Sequence, residues 1–183
     1  SNLKQIALAL HGHHAARGKF PPGWIEQCPT PRGVNQVGEW SWTAYSLPFM
    51  DDGALYQSLS VGKESLAVAL LVTSFVEKMK APVRSFVCPS DTGPANGEST
   101  DGRFVRRRDR AGNMYLAKSN YVGCNASFNL ALDDGLPTNL AGTDPHRTRA
   151  NGIFFKNKGL RTKDITDGTS KTLLLGERHD AMK

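Results

Sequence analysis

The sequence predicts an α+β domain in which an amphipathic N-terminal helix packs on an antiparallel β-sheet, together with a second helix and long surface loops. Three features support this: helical periodicity at the start of the chain, short β-like runs in its second half, and two long irregular stretches between those runs. With 183 residues, 39% of them hydrophobic and 22% charged, the chain can bury a core as a single domain spanning residues 1–183.

The first helix has the clearest signal. Its stripe follows helical spacing and consists of Leu3, Ile6, Ala7, Leu10 and His14. Gly18 suits the C-terminal cap, and Pro21 and Pro22 prevent the helix from resuming. Because the stripe begins at once with Leu3, we expect this segment to be the tail of a longer helix.

The middle of the chain predicts three elements. Residues 39–47 alternate Trp40, Trp42 and Ala44 on one side, which indicates a strand or extended segment ending at Pro48. Residues 54–59 suit a short helix. Residues 63–80 predict a second full helix, with Leu66, Leu70, Phe75 and Met79 near one face, closed by Pro82.

The second half contains β-like runs at residues 83–88, 119–125 and 152–155. A last run at residues 169–176 includes three consecutive leucines and suits a covered strand. Between the runs, residues 89–118 and 126–151 are rich in Gly, Asp, Asn and Arg and exceed the ~12–15 residues of a plain connection. We expect surface loops there, where a binding function would lie.

The net charge of +6 is concentrated in the second half of the chain. Much of the excess positive charge comes from an arginine cluster in which Asp109 is the one acidic residue. The arginines of this cluster are Arg103, Arg106, Arg107, Arg108 and Arg110. Such a cluster could hold a polyanion such as nucleic acid, anionic glycan or a lipid surface. The favoured interpretation is a solvated loop, because no aromatic platform is interleaved with the arginines.

Cys28, Cys88 and Cys124 allow at most one internal disulfide and leave one thiol over. They lack the CxxC spacing of a zinc or redox site. If the protein is exported, Cys88 and Cys124 are the preferred pair because both lie in strand-like runs, although connectivity does not follow from sequence.

The histidines His11 and His14 share a helical face and could bind zinc with His146 or His179, as in a metal-dependent hydrolase. The sequence lacks the acidic partner of an HExxH arrangement, and the cluster lies near a helix C-terminus, where imidazoles, His13 among them, cap carbonyls. We therefore favour capping or packing.

Asp164 and Asp167 precede Gly168 in a segment that resembles half of a calcium loop. The alternating ligand positions and closing Glu of such a loop are out of register. A turn leading into the last strand is favoured, with Asp164 or Thr166 bonding local backbone, and a calcium site remains the minority alternative.

Catalytic signatures are missing from the sequence. Cys88 has no base or orienting group at a recognisable spacing, and Ser41 and Ser170 lack the nucleophile turn of hydrolases. The chain also lacks a P-loop and a dinucleotide fingerprint. These observations predict a protein that is not an enzyme and uses no cofactor and no metal.

Short blocks along nearly the whole chain resemble a large bacterial family whose members carry a prepilin-type N-terminal cleavage and methylation signal before a domain of unknown function. The matching blocks keep the family's order, and they are residues 2–11 with His14, 18–23, Trp42 with 46–48, 53–56, 86–91, 119–123, 151–154 and 164–177. Three segments of the family have no matching block in this sequence: the leader, the apolar half-helix and the C-terminal element.

The resemblance implies a type IV pilin-like or pseudopilin-like subunit. Such a subunit would be anchored in the inner membrane through the missing N-terminal helix, with its domain in the periplasm or outside the cell, and that helix would pack against other pilin-like subunits. The longest apolar run in the chain itself, residues 66–72, is far shorter than the ~20 residues of a membrane span. The alternative is an envelope-tethered module that binds an anionic glycan or DNA through residues 103–110.

Overall fold

A computed structural model describes residues 1–25, 40–93, 105–106, 113–125, 152–155 and 157–178. Within these residues the chain forms five α-helices, several 3₁₀ turns and two antiparallel strand pairs. The predicted α+β class is confirmed. The described residues contain no helix with the length and apolar character needed to cross a membrane.

Helix α1 spans Asn2–Arg17 and ends where the sequence predicted. Gly18 adopts a left-handed conformation with φ of 72°, and its backbone N–H donates to the carbonyl of His14. One face of the helix is buried through Ile6, Ala9, Leu10 and His13. The helix is therefore held along one side by the domain.

Helix α2 spans Trp42–Ser46 and is followed by a 3₁₀ turn at Leu47–Phe49, so the strand or extended segment predicted over residues 39–47 is wrong from Trp42 onward. The Trp42 N–H donates to the Gly23 carbonyl at 3.0 Å, and Ser41 forms a single antiparallel bridge with Trp24. Trp40 and Trp42 are both buried, but in different apolar clusters. The turn of the backbone between them, rather than alternation in a strand, lets each reach its own cluster.

Helix α3 spans Gly53–Ser58, as predicted to within a residue. The single helix predicted over residues 63–80 is instead divided into α4 (Leu66–Ala69) and α5 (Thr73–Lys80), so that prediction is wrong. Val72 is extended between them, with φ of −100° and ψ of 113°. The break allows Leu70 and Val76 to be buried together in one small cluster. Helix α5 ends before Pro82, as expected.

The strands form two separate antiparallel pairs. Strand β1 (Val105–Arg106) pairs with β2 (Asn113–Met114), and β3 (Tyr121–Gly123) pairs with β4 (Leu175–Glu177). The strand expected within 119–125 is thus confirmed in shorter form. The covered strand expected over 169–176 is largely wrong, because residues 169–171 form a 3₁₀ turn, Leu173 is 74% exposed, and strand structure begins only at Leu175. The strand expected over 83–88 is instead a 3₁₀ turn at Arg84–Phe86, and residues 152–155 contribute only one bridge, Phe155 to Lys158.

The main core lies where α1 meets α2, β4 and the 3₁₀ turns. Phe154 is 2% exposed, and its ring contacts that of Trp42 at a centroid distance of 5.3 Å. A Cβ added to Gly23 or to Gly123 would meet Phe154 atoms at or below the closest distances that real Cβ atoms show. Phe154 therefore lies in a slot between two glycines that are far apart in the sequence, with its backbone against Gly23 and its ring against Gly123.

Candidate functional site

Asp91, Lys118 and Asn120 form a buried polar cluster beside the main core. The Lys118 ammonium donates to Asp91 Oδ2 at 3.0 Å, and their side chains are only 8% and 1% exposed. The Asn120 Nδ2 donates to the same carboxylate oxygen. A buried ion pair is stabilised when further hydrogen bonds satisfy its polar atoms, and Asn120 supplies one of them.

Asn120 joins three distant parts of the chain. Its Oδ1 accepts from the Cys88 backbone N–H at 2.9 Å, and its Nδ2 also donates to the Arg178 carbonyl at 3.2 Å. Its own backbone N–H donates to the Phe86 carbonyl at 2.9 Å, while its carbonyl accepts from Arg178. The residue before β3 thereby fixes the segment after the Arg84–Phe86 turn and the end of β4.

The Asp91 carboxyl has a pKa lowered to about 2. The Gly93 backbone N–H, which donates to Oδ1 at 3.0 Å, makes the largest contribution, followed by the hydrogen bonds from Asn120 and Lys118; burial opposes them. A carboxyl with this pKa stays ionised near neutral pH, where general acid–base catalysis needs a pKa close to the working pH. The arrangement suits the locking of segments better than proton transfer.

The sequence interpretation assigned no role to this cluster and placed Asp91 and Lys118 in a surface loop over residues 89–118. That expectation is wrong for both residues, because their side chains are buried in an ion pair. The only sequence signal of the cluster was that residues 86–91 and 119–123 are two of the blocks that carried the family resemblance. The structure brings these blocks together with the end of the block at 164–177. Matching blocks that are short and scattered can therefore mark one contact network.

The histidines pack and cap, in agreement with the favoured interpretation. The His13 Nδ1–H donates to the Lys19 carbonyl at 2.9 Å, and burial lowers the pKa of His13. The rings of His11 and His14 both contact Phe20, at centroid distances of 5.5 and 4.9 Å. His14 Nε2 lies 2.9 Å from the Thr162 hydroxyl.

The metal alternative for these histidines involved partners that the structure does not describe, since His146 and His179 lie outside the described residues. In the part of the chain that is described, no group of three or more His, Cys, Asp or Glu side chains could hold a metal ion.

Asp164 bonds local backbone, as the turn interpretation expected. Its carboxylate accepts from the Arg161 backbone N–H at 3.0 Å and from the Arg161 guanidinium at 2.9 and 3.0 Å. These side-chain hydrogen bonds are the main cause of an Asp164 pKa of about 2. Gly168, with φ of 84°, follows the turn, and a 3₁₀ turn at Thr169–Lys171 precedes β4.

Cys88 and Cys124 are both half-buried free cysteines in the structure, so the disulfide favoured from the sequence is not formed there. Cys28 lies outside the described residues. The backbone N–H of Cys88 is fixed by Asn120, and that of Cys124 donates to the Leu174 carbonyl at 3.0 Å. Backbone hydrogen bonds thus hold the two cysteines in place.

The arginine cluster is described only in part. Arg106 lies in β1 opposite Asn113, whereas Arg103, Arg107, Arg108 and Arg110 fall outside the described residues. In the sequence, three of the five arginines fall between the paired strands β1 and β2.

Comparison with protein families gives a match over residues 1–183 to a family described as protein of unknown function, DUF1559. The chain belongs to the DUF1559 family. Neither the curated proteins nor the solved structures contain a significant match. The DUF1559 assignment agrees with the domain of unknown function in the resemblance, and it names no activity, so the function of this DUF1559 chain must be argued from its geometry.

Proposed function

We propose that this chain is a non-enzymatic structural subunit of a type IV pilus-like or type II secretion-like (pseudopilin) envelope assembly. The sequence resemblance to prepilin-type proteins and the DUF1559 membership support the proposal. In the proposed subunit the full-length protein is anchored in the inner membrane, the domain lies in the periplasm or outside the cell, and neighbouring subunits meet through their N-terminal helices.

The main structural support for the proposal is the difference between the two faces of α1. The inner face is fixed by long-range contacts at both ends of the helix: Asn2 Nδ2 donates to the Val87 carbonyl at 2.9 Å, and His14 contacts Thr162. The outer face contains Leu8, which is 62% exposed and is bordered by exposed Lys4 and His11. A helix attached so firmly on one side, with a large apolar side chain on the other, is suited to transmit contacts between subunits.

Site-specific photo-crosslinking in the native host tests this proposal. A photoreactive amino acid replaces Leu8 in the full-length protein, and an otherwise identical protein carries it at Lys63, which is exposed in the turn between α3 and α4. We expect position 8 to give a ladder of crosslinked subunits in the envelope fraction and position 63 to give much less. Equal crosslinking at the two positions, or a protein recovered outside the envelope, would overturn the proposal.

The arginine cluster supports a second candidate function, an envelope-tethered module that binds DNA or an anionic glycan. In the sequence, Arg107, Arg108 and Arg110 follow closely on Arg106, the last residue of β1. A cationic segment of this kind would contact phosphate or sulfate groups without reading a sequence.

Salt-titrated binding to double-stranded DNA and to heparin tests the second candidate. If Arg106, Arg107 and Arg108 each contact a phosphate, the slope of log K against log salt should fall by about 2–3 when all three become Ser. A matched control replaces Lys63, Lys78 and Lys80, which lie on a different part of the chain. Undetectable binding at low salt, or equal effects of the two triple variants, would exclude this function.

A further inference from the structure

An apolar groove lies between the helices α2 to α5 and the segment at 116–119. Its volume is about 260 Å³. The apolar side chains that line it include Trp40, Leu47, Leu55, Leu59, Met79 and Leu116. Ligand pockets are typically apolar concavities of ~300–1,000 Å³ with a few polar groups, so this groove lies just below the small end of that range.

The walls of the groove are held in place by the core. Trp40, Leu47 and Leu59 are each no more than 6% exposed. The Trp40 indole N–H donates to the Glu64 carbonyl at 2.8 Å, which fixes the ring and leaves its surface to line the groove. On the far side, the Ala117 backbone N–H donates to the Met79 carbonyl at 2.9 Å. The groove is therefore preformed.

The hydroxyl groups in the lining are engaged with the protein itself. Ser41 and Thr43 bond to each other at 2.6 Å, and the Ser119 hydroxyl donates to the Tyr121 carbonyl at 2.9 Å. The charged residues that line the groove are Lys78 and Lys118, and its described lining contains neither Asp nor Glu. Lys118 is bound to Asp91, which leaves Lys78 as the lining cation at the surface.

Lys78 projects from α5 at the edge of this apolar surface. Its ammonium donates to the Ser58 carbonyl at 3.3 Å and lies 5.6 Å from the centroid of the Phe75 ring. These are contacts with neutral groups, in contrast to Lys80 on the same helix, which pairs with Glu77 at 2.8 Å. A ligand carboxylate would give the Lys78 ammonium a charged partner without displacing an acidic side chain of the lining.

We propose that the groove binds a small amphipathic anion, a medium-chain alkyl carboxylate, with its chain on the Trp40 and Leu59 wall and its carboxylate beside Lys78. The apolar lining favours an alkyl chain, the volume limits the length of that chain, and Lys78 favours an anionic head group over a cationic one. This binding site is separate from the helix face invoked for assembly, because no residue of α1 is among the described residues that line it.

Isothermal titration calorimetry of the full chain with decanoate, below its micelle concentration, tests the proposal. Decanol and decyltrimethylammonium serve as neutral and cationic probes with the same alkyl chain. We expect saturable decanoate binding, weaker decanol binding, and weaker still for the cation. Lys78→Gln should weaken decanoate binding about two- to fivefold, as for a partly exposed ion pair, and leave decanol binding unchanged.

Two matched variants complete the test. Lys80→Gln removes a neighbouring cation that does not line the groove, and it should leave decanoate binding unchanged. Ala44→Leu places a larger side chain in the groove and should abolish binding of both decanoate and decanol. If Ala44→Leu fails to fold, the ¹³C shift of the Met79 methyl in the unaltered protein gives the same information, because decanoate in the groove must change it.

Several results would overturn the proposal. Binding of decyltrimethylammonium as tight as that of decanoate would exclude a role for Lys78 in selecting the anion. Equal losses of decanoate affinity in Lys78→Gln and Lys80→Gln would show that the net charge of the protein, and not Lys78 at the groove, determines binding. An absence of saturable decanoate binding, or saturation without any change at the Met79 methyl, would show that the groove is not the site.

Discussion

At the scale of single residues, Asp91 links burial, charge and hydrogen bonding most closely. Its carboxylate accepts from a backbone N–H, an ammonium and an amide at once, within an almost fully buried side chain. The residues of this cluster are typical surface types by composition, and no local pattern marks them as buried. Their roles follow only from which chain segments meet, so the sequence could not predict them.

Asp91→Asn should lower the free energy of unfolding at pH 7 by about 3–5 kcal/mol, because it removes the carboxylate that partners a buried ammonium. Urea denaturation followed by tryptophan fluorescence measures this loss. Asp164→Asn is the matched control: its carboxyl also has a pKa of about 2, but it lies at the surface, and the loss should be much smaller.

The same pair of variants tests the pH dependence. The Asp91 pKa is about 2 in the folded protein, against about 3.9 in an unfolded chain. The stabilisation is therefore complete above about pH 4 and is lost as the pH falls towards 2. Asp91→Asn should flatten the stability profile between pH 4 and 2. An unchanged slope in this variant would show that Asp91 is not the source of acid sensitivity.

At the scale of elements, the sequence predicted a helix correctly where an apolar stripe and a capping residue occur together. Helix α1 has both an apolar stripe and a glycine cap, and its bounds were found from sequence. The segments at 39–47 and 63–80 have apolar spacing that fits more than one backbone path. In these segments, contacts with other side chains decide the backbone conformation. Trp42 packs against Phe86 and Phe154, and Leu70 is buried with Val76. Tertiary contacts thus overrode the local pattern.

The glycine cap of α1 gives a prediction at this scale. Gly18→Ala should destabilise the protein by about 1 kcal/mol, because alanine at a φ of 72° is strained even though no atom lies within 4 Å of the new Cβ. Gly53→Ala, in α3, also meets no atom within 4 Å and has no such φ, so it should be neutral or slightly stabilising. Thermal unfolding compares the two. Equal destabilisation would contradict the cap argument.

At the scale of the whole molecule, contacts between remote segments complete both the core and the candidate site. The fold class followed from the order of helical and β-like segments, which composition and periodicity reveal. The division of the strands into two pairs, and the meeting of residues 91, 118, 120 and 178, did not follow, because no spacing in one sequence encodes which segments become neighbours.

The slot that holds Phe154 tests this packing. Gly123→Ala should cost about 1–3 kcal/mol, because its Cβ would press on the Phe154 ring. Phe154→Leu provides a smaller side chain that can move aside. The double variant should therefore be more stable than the sum of the two single losses predicts, by about 0.5 kcal/mol or more in urea denaturation. If the two losses in the free energy of unfolding are strictly additive, the alanine at position 123 destabilises the protein through contacts other than the one with Phe154.

The contact between His14 and Thr162 also has a consequence for the order of folding. It joins residues 148 positions apart, and the Asn2 to Val87 contact joins residues 85 positions apart. During synthesis, α1 leaves the ribosome before the segments it packs against, and its second half cannot dock until residues up to 162 have followed. Non-local closure of this kind slows folding, and it leaves an apolar helix face open to competing partners for most of translation. The nascent chain thus offers that face to a chaperone or a bilayer well before the rest of the domain exists to cover it.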